Sequence, residues 1–314
     1  MNRNLVSVLI PTWNRREMLA KSLASIYQST YQNIEIIVVD NGSVDGTGQF
    51  LAQQYPQVRV CRLEVNQGPV AARNAGLKCV RGDYVFFMDD DCAVNAQSIA
   101  KMVDTFERNL TAGAIVFKIT DVNTGAVLTT NCPRETKQLW IGAAAIRKSV
   151  IERVGEFTKY AYSHGDEFDY SIRIWENNCK IIYEPALEVL DFALDRPKRI
   201  SGSRVREIGS WLLVIAQNFS WQQAFMFSFR VIISYGLLAL KNRRLTDYFR
   251  GIGKAIARYP EVVLHKRRLS QKTVEMYWDP NLLPDTFNVP LHKKFLARLK
   301  NGLAAVNRKT VVYL

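Results

Sequence analysis

The sequence has few cysteines, and none of them forms a recognisable metal-binding motif. Its 314 residues contain 5 cysteines, which lie singly and never as a C-x-x-C pair. This spacing supports neither a zinc site nor a disulfide framework, and it favours a reducing, cytoplasmic setting. The opening residues, MNRNLVSVLIPTWNRR, also lack an apolar run long enough for a secretory signal, which favours the same location.

The chain also lacks a long uninterrupted apolar run. Residues 211–244 come closest, but glutamines and Arg230 interrupt them. A membrane-spanning helix needs roughly 20 apolar residues, and a central arginine costs about 2.5 to 3.5 kcal/mol. Aromatic residues interleaved with basic ones, together with HKRR (265–268) and HKK (292–294), instead favour helices that lie on the cytoplasmic face of a membrane. A plain core or a homo-oligomer interface is the alternative.

Acidic residues are scarce in the C-terminal part of the chain. Residues 1–195 carry 20 Lys and Arg against 23 Asp and Glu, whereas residues 196–314 carry 22 against 6. The whole basic excess therefore belongs to the C-terminal part, which predicts an anionic partner there. We favour a membrane surface over nucleic acid as that partner, because the basic residues alternate with aromatic ones.

The first half of the chain alternates short apolar runs with amphipathic segments. This pattern predicts an α/β fold with a mostly parallel sheet. The predicted strands are 5–11, 34–40, 58–64 and 83–89, and the predicted helices are 15–28, 43–55 and 68–80. A Pro-, Gly- and Ser-rich stretch at 194–204 predicts a boundary between a domain of residues 1–200 and a basic, mainly helical extension of residues 201–314.

Three consecutive aspartates, Asp89 to Asp91, follow the fourth predicted strand. Adjacent carboxylates repel one another, so either water solvates them or they hold a cation, and their place at the end of an apolar strand favours the cation. If the segment is extended, Asp89 and Asp91 point to one side and Asp90 to the other. Two oxygen ligands on one side suit Mg²⁺ or Mn²⁺ that also binds phosphate oxygens. Asp40 ends the second strand, so it should face the same crevice at the carboxyl edge of the sheet.

Five segments taken in order resemble the inverting glycosyltransferases of family 2, which have the GT-A fold. They are VSVLIPTWNR, IEIIVVDNGSVDGT, NQGPVAARNAGL, GDYVFFMDDDC and GDEFDYSIRIW, and they cover roughly residues 5–192. The resemblance implies that Pro11, Thr12, Asp40, Asp45 and Arg73 bind the nucleotide sugar. Asp45 has the alternative of serving only as a helix cap.

The same resemblance assigns roles to the acids. Asp89 and Asp90 lie at the donor site, although we expect Asp90 to be mainly structural. Asp91, together with Asp89, holds Mg²⁺ or Mn²⁺. The family's catalytic base matches Glu167, with Asp166 in reserve. Many relatives have a histidine where this chain has Asp191, so Asp191 is expected to be a further metal ligand, although the change also allows an impaired site. Asp169 and Arg173 are predicted to form a structural ion pair.

The sequence therefore predicts a metal-dependent, hexosyltransferase-like enzyme. It would transfer a sugar from a UDP-, GDP- or dTDP-linked donor to a hydroxyl group of a glycan, a lipid-linked acceptor or a small molecule, in the synthesis of a polysaccharide or glycoconjugate. Two alternatives are a nucleotidyltransferase acting on a sugar phosphate and a non-catalytic protein that binds nucleotide sugars, carbohydrate or nucleic acid. No glycine-rich, lysine-bearing phosphate loop is present near the N-terminus to favour the first of these.

Overall fold

The computed structural model describes residues 4–129, 132, 134–162, 165–192 and 207–278. Within these ranges the elements of the first part, in chain order, are β1 (Val6–Thr12), α1 (Arg16–Tyr27), β2 (Ile34–Asn41), α2 (Thr47–Gln54), β3 (Arg59–Leu63), α3 (Pro69–Leu77), β4 (Tyr84–Met88), β5 (Cys92–Val94), α4 (Ser98–Arg108), β6 (Ala112–Asp121), β7 (Glu135–Thr136), β8 (Ala143–Arg147), α5 (Lys148–Val154), α6 (Asp166–Glu176) and β9 (Lys180–Asp191). Four helices follow them: α7 (Ile208–Asn218), α8 (Trp221–Lys241), α9 (Leu245–Leu264) and α10 (Gln271–Trp278).

The strands form one mixed sheet that is buried on both faces. Its order is β3-β2-β1-β4-β8-β6-β9-β5, and β7 pairs with β9 outside this path. Side chains of β1 alternate between two apolar clusters, so that Leu9 packs on one face of the sheet and Val8 and Ile10 on the other. Because both faces are covered, the strand is apolar at nearly every position. This confirms the predicted α/β fold and its first four strands.

The order of the strands reverses beside β1. The chain passes from β1 to β2 and β3 on one side, then returns through α3 to β4, which pairs with β1 on the other side. All four strands are parallel, so the carboxyl ends of β1, β2 and β4 meet at one edge. Such a reversal opens a crevice in which α/β proteins bind ligands. Thr12 lies opposite Asp40 in the strand register at this edge.

Helix α3 lies close against the sheet because Gly76 has no side chain. A Cβ atom there would approach Leu9 Cδ1 to 2.7 Å and Val39 Cγ2 to 2.8 Å. A larger residue at position 76 would therefore push α3 away from the sheet.

The structure corrects the cysteine prediction. Cys61 of β3 and Cys79, which follows α3, are joined in a disulfide across 18 residues of sequence. Spacing along the chain could not show this contact, because it arises only when α3 packs over the edge of the sheet. The prediction of a reducing compartment loses the support that it drew from unpaired cysteines, and it remains a prediction.

Of the helices after residue 207, α7 and α10 pack onto α6, and α8 and α9 pack onto α7. Ile208, Trp211 and Val214 of α7 belong to the same apolar cluster as Phe168 of α6, and the rings of Phe168 and Trp211 are 5.6 Å apart. Helix α8 is the one helix among the described residues that is long and apolar enough to cross a membrane by length and composition, with a mean hydropathy of 1.5. The predicted boundary at 194–204 and the HKK segment at 292–294 lie outside the described residues.

Candidate functional site at the carboxyl edge of the sheet

The three consecutive aspartates occupy the turn between β4 and β5. Asp90 and Asp91 have turn rather than strand conformation, so the predicted alternation of their side chains is wrong. The turn arises because β4 ends at Met88 and the chain reverses into β5, which pairs with β9. Asp89 separates from the other two acids, and Asp90 and Asp91 share one cation.

Arg15 is that shared cation. Its Nη1 lies 2.8 Å from Asp90 Oδ1 and 2.9 Å from Asp91 Oδ2. The hydroxyl of Thr12 donates to Asp90 Oδ2 at 2.7 Å, and the Ser22 hydroxyl donates to the Asp90 carbonyl at 2.9 Å. Burial raises the pKa of Asp90 to about 6, although Arg15 opposes this shift. Asp90 therefore ties β1 and α1 to the turn, as expected of a structural acid.

Asp191 lies beside the turn. It ends β9 opposite Cys92 of β5, and the next backbone amide, that of Phe192, donates to the Asp91 carbonyl at 3.0 Å. The structure therefore brings Asp191 next to the aspartate turn, as its predicted role requires. Among the described residues, however, no group of three or more His, Cys, Asp or Glu side chains is arranged to hold a metal ion.

Arg73 links the aspartate turn to the second acidic pair. It is nearly buried on α3, and its Nη2 lies 3.1 Å from Asp89 Oδ1 while its Nη1 lies 3.3 Å from Asp166 Oδ2. The sequence places Asp89 and Asp166 77 residues apart, and this one guanidinium brings them to a common crevice. The Asp89 side chain keeps 42% exposure, so it remains open to a ligand.

Glu167 sits at the start of α6, next to Asp166. The backbone amide of Ile141 donates to Glu167 Oε1 at 2.7 Å. Burial raises the pKa of Glu167 to about 8, and the neighbouring Asp166 charge adds to the shift while the amide and Arg73 oppose it. A carboxylate with a raised pKa is a stronger base, which suits a group that removes a proton.

The predicted nucleotide-binding residues of β1 and β2 lie at the same edge. Asp40 is fully buried, and its Oδ1 accepts from the Ser43 amide at 2.9 Å. Its Oδ2 makes no hydrogen bond, and Arg62 Nε is 3.9 Å away, which leaves a buried acceptor for a ligand. Pro11 lies opposite Val39 in the register of the two strands.

Asp45 has a local structural task. One carboxylate oxygen accepts from the Thr47 amide and hydroxyl at the start of α2, and the other accepts from the Arg16 amide at the start of α1. These bonds satisfy backbone amides at the starts of two helices, although the N-cap residues are Gly46 for α2 and Arg15 for α1 rather than Asp45.

Helix α6 is held in position by a buried ionic network around Asp169. Asp169 pairs with Arg173 at 2.7 Å, which confirms the predicted structural ion pair. The other Asp169 oxygen accepts from Asn218 at the end of α7 and from Arg267 after α9. The helices of the basic extension thereby anchor the helix that carries Glu167.

Sequence reasoning missed three contributors to the site, namely Arg15, Ile141 and Gly142. Arg15 could have been suspected, since it follows β1 at the edge where the aspartates lie. Gly142 had no comparable signal: a Cβ atom there would lie 2.7 Å from Asp89 Cγ, and its carbonyl accepts from the Asp89 amide at 3.2 Å. Its importance appears only when β8 pairs with β4.

Solved structures of low sequence identity share the fold. The chain resembles S. aureus TarS 1-349 in complex with UDP-GlcNAc, with a TM-score of 0.61, 16% identity and coverage of 90% of this chain and 89% of that one. It also resembles GalNAc-T7 with UDP, GalNAc and Mn2+, with a TM-score of 0.59, 16% identity and coverage of 83% and 58%. The fold is the GT-A fold, with helices added at its C-terminal side.

Residues 7–154 match the family model described as Glycosyl transferase family 2. This segment of the chain is similar to glycosyl transferase family 2, in agreement with the motifs of the sequence. Among curated relatives, the chain is 31% identical over 177 residues to glycosyltransferase AglE of Haloferax volcanii, which covers 51% of the chain and 58% of the relative. It is 37% identical over 98 residues to glycosyltransferase GlyG of Streptococcus pneumoniae, which covers 30% and 33%. The chain thus spans between a third and three fifths of these relatives.

Proposed function

We propose that the protein is an inverting glycosyltransferase that moves a sugar from a nucleotide diphosphate to an acceptor hydroxyl. The observation that carries this proposal is the Arg73 bridge, since it joins Asp89 to Asp166 and so places the aspartate turn and Glu167 around one crevice. The relatives and the GT-A fold support sugar transfer as the type of reaction. TarS in complex with UDP-GlcNAc supports a nucleotide sugar as the donor.

The donor would bind along the carboxyl edge of β1, β2 and β4. The unused Asp40 oxygen would accept a hydrogen bond from the nucleoside, and Arg73 would supply a fixed positive charge near the diphosphate. Thr12 and Arg15 would hold the turn in place through Asp90.

The acids of the turn fit a divalent cation that shares its coordination with a diphosphate. Mg²⁺ commonly takes only one or two carboxylates from a protein and completes its shell with phosphates and water, so a third protein ligand is not required. Asp91 and Asp89 would hold Mg²⁺ or Mn²⁺, with Asp191 nearby, and the ion would supply positive charge to the leaving diphosphate. Arg15 would have to yield part of its contact with Asp91.

Glu167 would take the proton of the acceptor hydroxyl. The hydroxyl oxygen forms a bond to the anomeric carbon while the bond from that carbon to the diphosphate oxygen breaks, and the proton goes to Glu167. Attack from the face opposite the leaving group inverts the configuration. Asp166 would remain paired with Arg73, so that its negative charge stays at the start of α6 beside Glu167.

Calorimetry with UDP, GDP, dTDP and CDP, with and without Mn²⁺, tests the proposal. We expect one nucleotide to bind and Mn²⁺ to tighten that binding in the wild type but not in Asp91→Asn. The matching nucleotide sugar should then lose its sugar to a hydroxyl acceptor with inverted configuration. Binding of a nucleotide sugar without transfer or hydrolysis would favour a non-catalytic protein, and release of pyrophosphate from a nucleoside triphosphate and a sugar phosphate would favour a nucleotidyltransferase.

A further inference from the structure

Two helices of the basic extension expose apolar side chains that nothing in the described chain covers. On α8, Trp221, Phe225 and Phe229 follow one another at intervals of four residues, and Trp221 and Phe225 are 73% and 70% exposed. Only 28% of the most apolar stretch of α8 is buried. A helix in a folded protein usually buries its apolar stripe, so a second apolar face implies a second apolar contact.

Helix α9 shows the same feature with sharper segregation. Its exposed apolar residues are Leu245, Phe249, Ile256, Tyr259, Val263 and Leu264. At about 100° per residue the first five fall within an arc of about 80°, and Leu264, the last residue of the helix, lies about 60° beyond it. The buried residues Tyr248, Ala255 and Val262 form a separate stripe that packs inward.

The helices of the extension also carry exposed positive charge. Arg250 and Lys254 of α9 are exposed, and at about 100° per residue they lie about 140° to 180° around the helix from Leu245. Across residues 207–278 the chain has 11 Lys and Arg against 4 Asp and Glu. Large apolar side chains combined with positive charge match the interface of a bilayer with anionic headgroups, where rings enter the headgroup region and cations meet phosphates.

We propose that α8 and α9 bind the surface of an anionic lipid bilayer, with the apolar residues of α8 and α9 named above in the interface. A second copy of the chain is a poorer occupant, because two surfaces of the same positive charge repel each other. It is also a poorer explanation that α8 spans the bilayer. This helix packs Phe227, Val231 and Tyr235 into the protein core and carries Arg230 at its middle. The proposal concerns membrane binding alone, so it stands or falls independently of sugar transfer.

Flotation of the full chain with vesicles of phosphatidylcholine, with and without phosphatidylglycerol, tests this surface. We expect binding to the anionic vesicles that high salt weakens. Phe249→Ser with Ile256→Ser, which removes two residues of the stripe that are 64% and 69% exposed, should lower the partition coefficient about tenfold or more. Arg250→Gln with Lys254→Gln, which removes two charges on the other side of α9, should lower it by a smaller factor and on anionic vesicles only.

The matched control is Leu110→Ser with Val122→Ser, which removes two apolar side chains that are 83% and 53% exposed but lie outside the extension. This variant should float like the wild type, and circular dichroism should show that all variants are folded. Equal flotation of all the variants would overturn the proposal. So would a lack of vesicle binding together with a dimer in light scattering, or resistance of the cellular protein to alkaline carbonate extraction, which would indicate a spanning helix.

Discussion

The two acidic clusters of the crevice differ in how their charges are balanced. Asp90 and Asp91 share Arg15, and Asp89 has Arg73 at 3.1 Å. Glu167 is partly buried, accepts a hydrogen bond from one backbone amide, and forms no ion pair with a Lys or Arg of the described residues. Each carboxylate of the turn between β4 and β5 therefore has a guanidinium within 3.1 Å, whereas Glu167 at the start of α6 has no such partner among the described residues and binds a proton more tightly than a free glutamate does.

This difference separates two tasks that acidic residues can perform in one site. Carboxylates that stay charged attract cations and can share them with a diphosphate. A carboxylate that is buried beside another acid binds a proton more tightly and can exchange it with a substrate. The pair at 166 and 167 divides further, since Asp166 contacts Arg73 and Glu167 does not. Variants that change one cluster alone should show whether the tasks are separate.

The largest effect is expected for Glu167→Gln. The amide keeps the shape of the side chain and can still accept from Ile141, but it cannot take a proton from the acceptor. Sugar transfer should fall by about 10² to 10⁴-fold, as is typical for loss of a general base. Nucleotide binding by calorimetry should change little. Glu152→Gln on α5, an exposed acid, is the matched control and should be fully active. Normal transfer by Glu167→Gln would remove this residue from the role of base.

A smaller effect is expected for Gly142→Ala, which alters the aspartate turn and leaves Glu167 in place. The new methyl group would overlap the Asp89 carboxylate and push it from its position beside Arg73. A shift of about 1 Å in a positioning group can cost up to about 100-fold, so we expect kcat/KM to fall between about 10-fold and 100-fold.

Gly253→Ala on α9 is the control for this variant, because a Cβ atom there meets nothing within 4 Å. Thermal unfolding should show Gly142→Ala to be folded. If the two alanine variants had equal activity, the position of Asp89 would have no bearing on the reaction.

The sequence predicted the elements of this site better than the contacts between them. Apolar periodicity located β1 to β4, and the rule that parallel strands end at one edge predicted that Asp40 lies at the carboxyl edge of the sheet, where the structure puts it opposite Thr12. The contacts of Arg15 with Asp91, and of Gly142 with Asp89, join residues that are distant in sequence, and local patterns carry no record of them. The alternation expected for Asp89 to Asp91 failed because it assumed a strand where the chain turns.

The smallest effect concerns stability. The dependence of stability on pH distinguishes Glu167 from the acids of the aspartate turn. Burial, followed by the charge of Asp166, raises the pKa of Glu167 to about 8 from an ordinary value of 4.5. Below pH 4.5 the group is protonated in both folded and unfolded chains. Between the two values only the folded chain retains the proton, so the free energy of unfolding falls as pH rises and levels off above about 8.

Glutamine has no such proton, so Glu167→Gln should gain stability over the wild type as pH rises. The difference in Tm between the two proteins should be small at pH 5 and grow to several degrees in favour of the variant at pH 8.5. Asp90 also has a raised pKa, but it titrates in both proteins and therefore cancels from the difference. A Tm difference that stayed constant across this range would mean that Glu167 is charged in the folded protein throughout, and the contrast between the two acidic clusters would be lost.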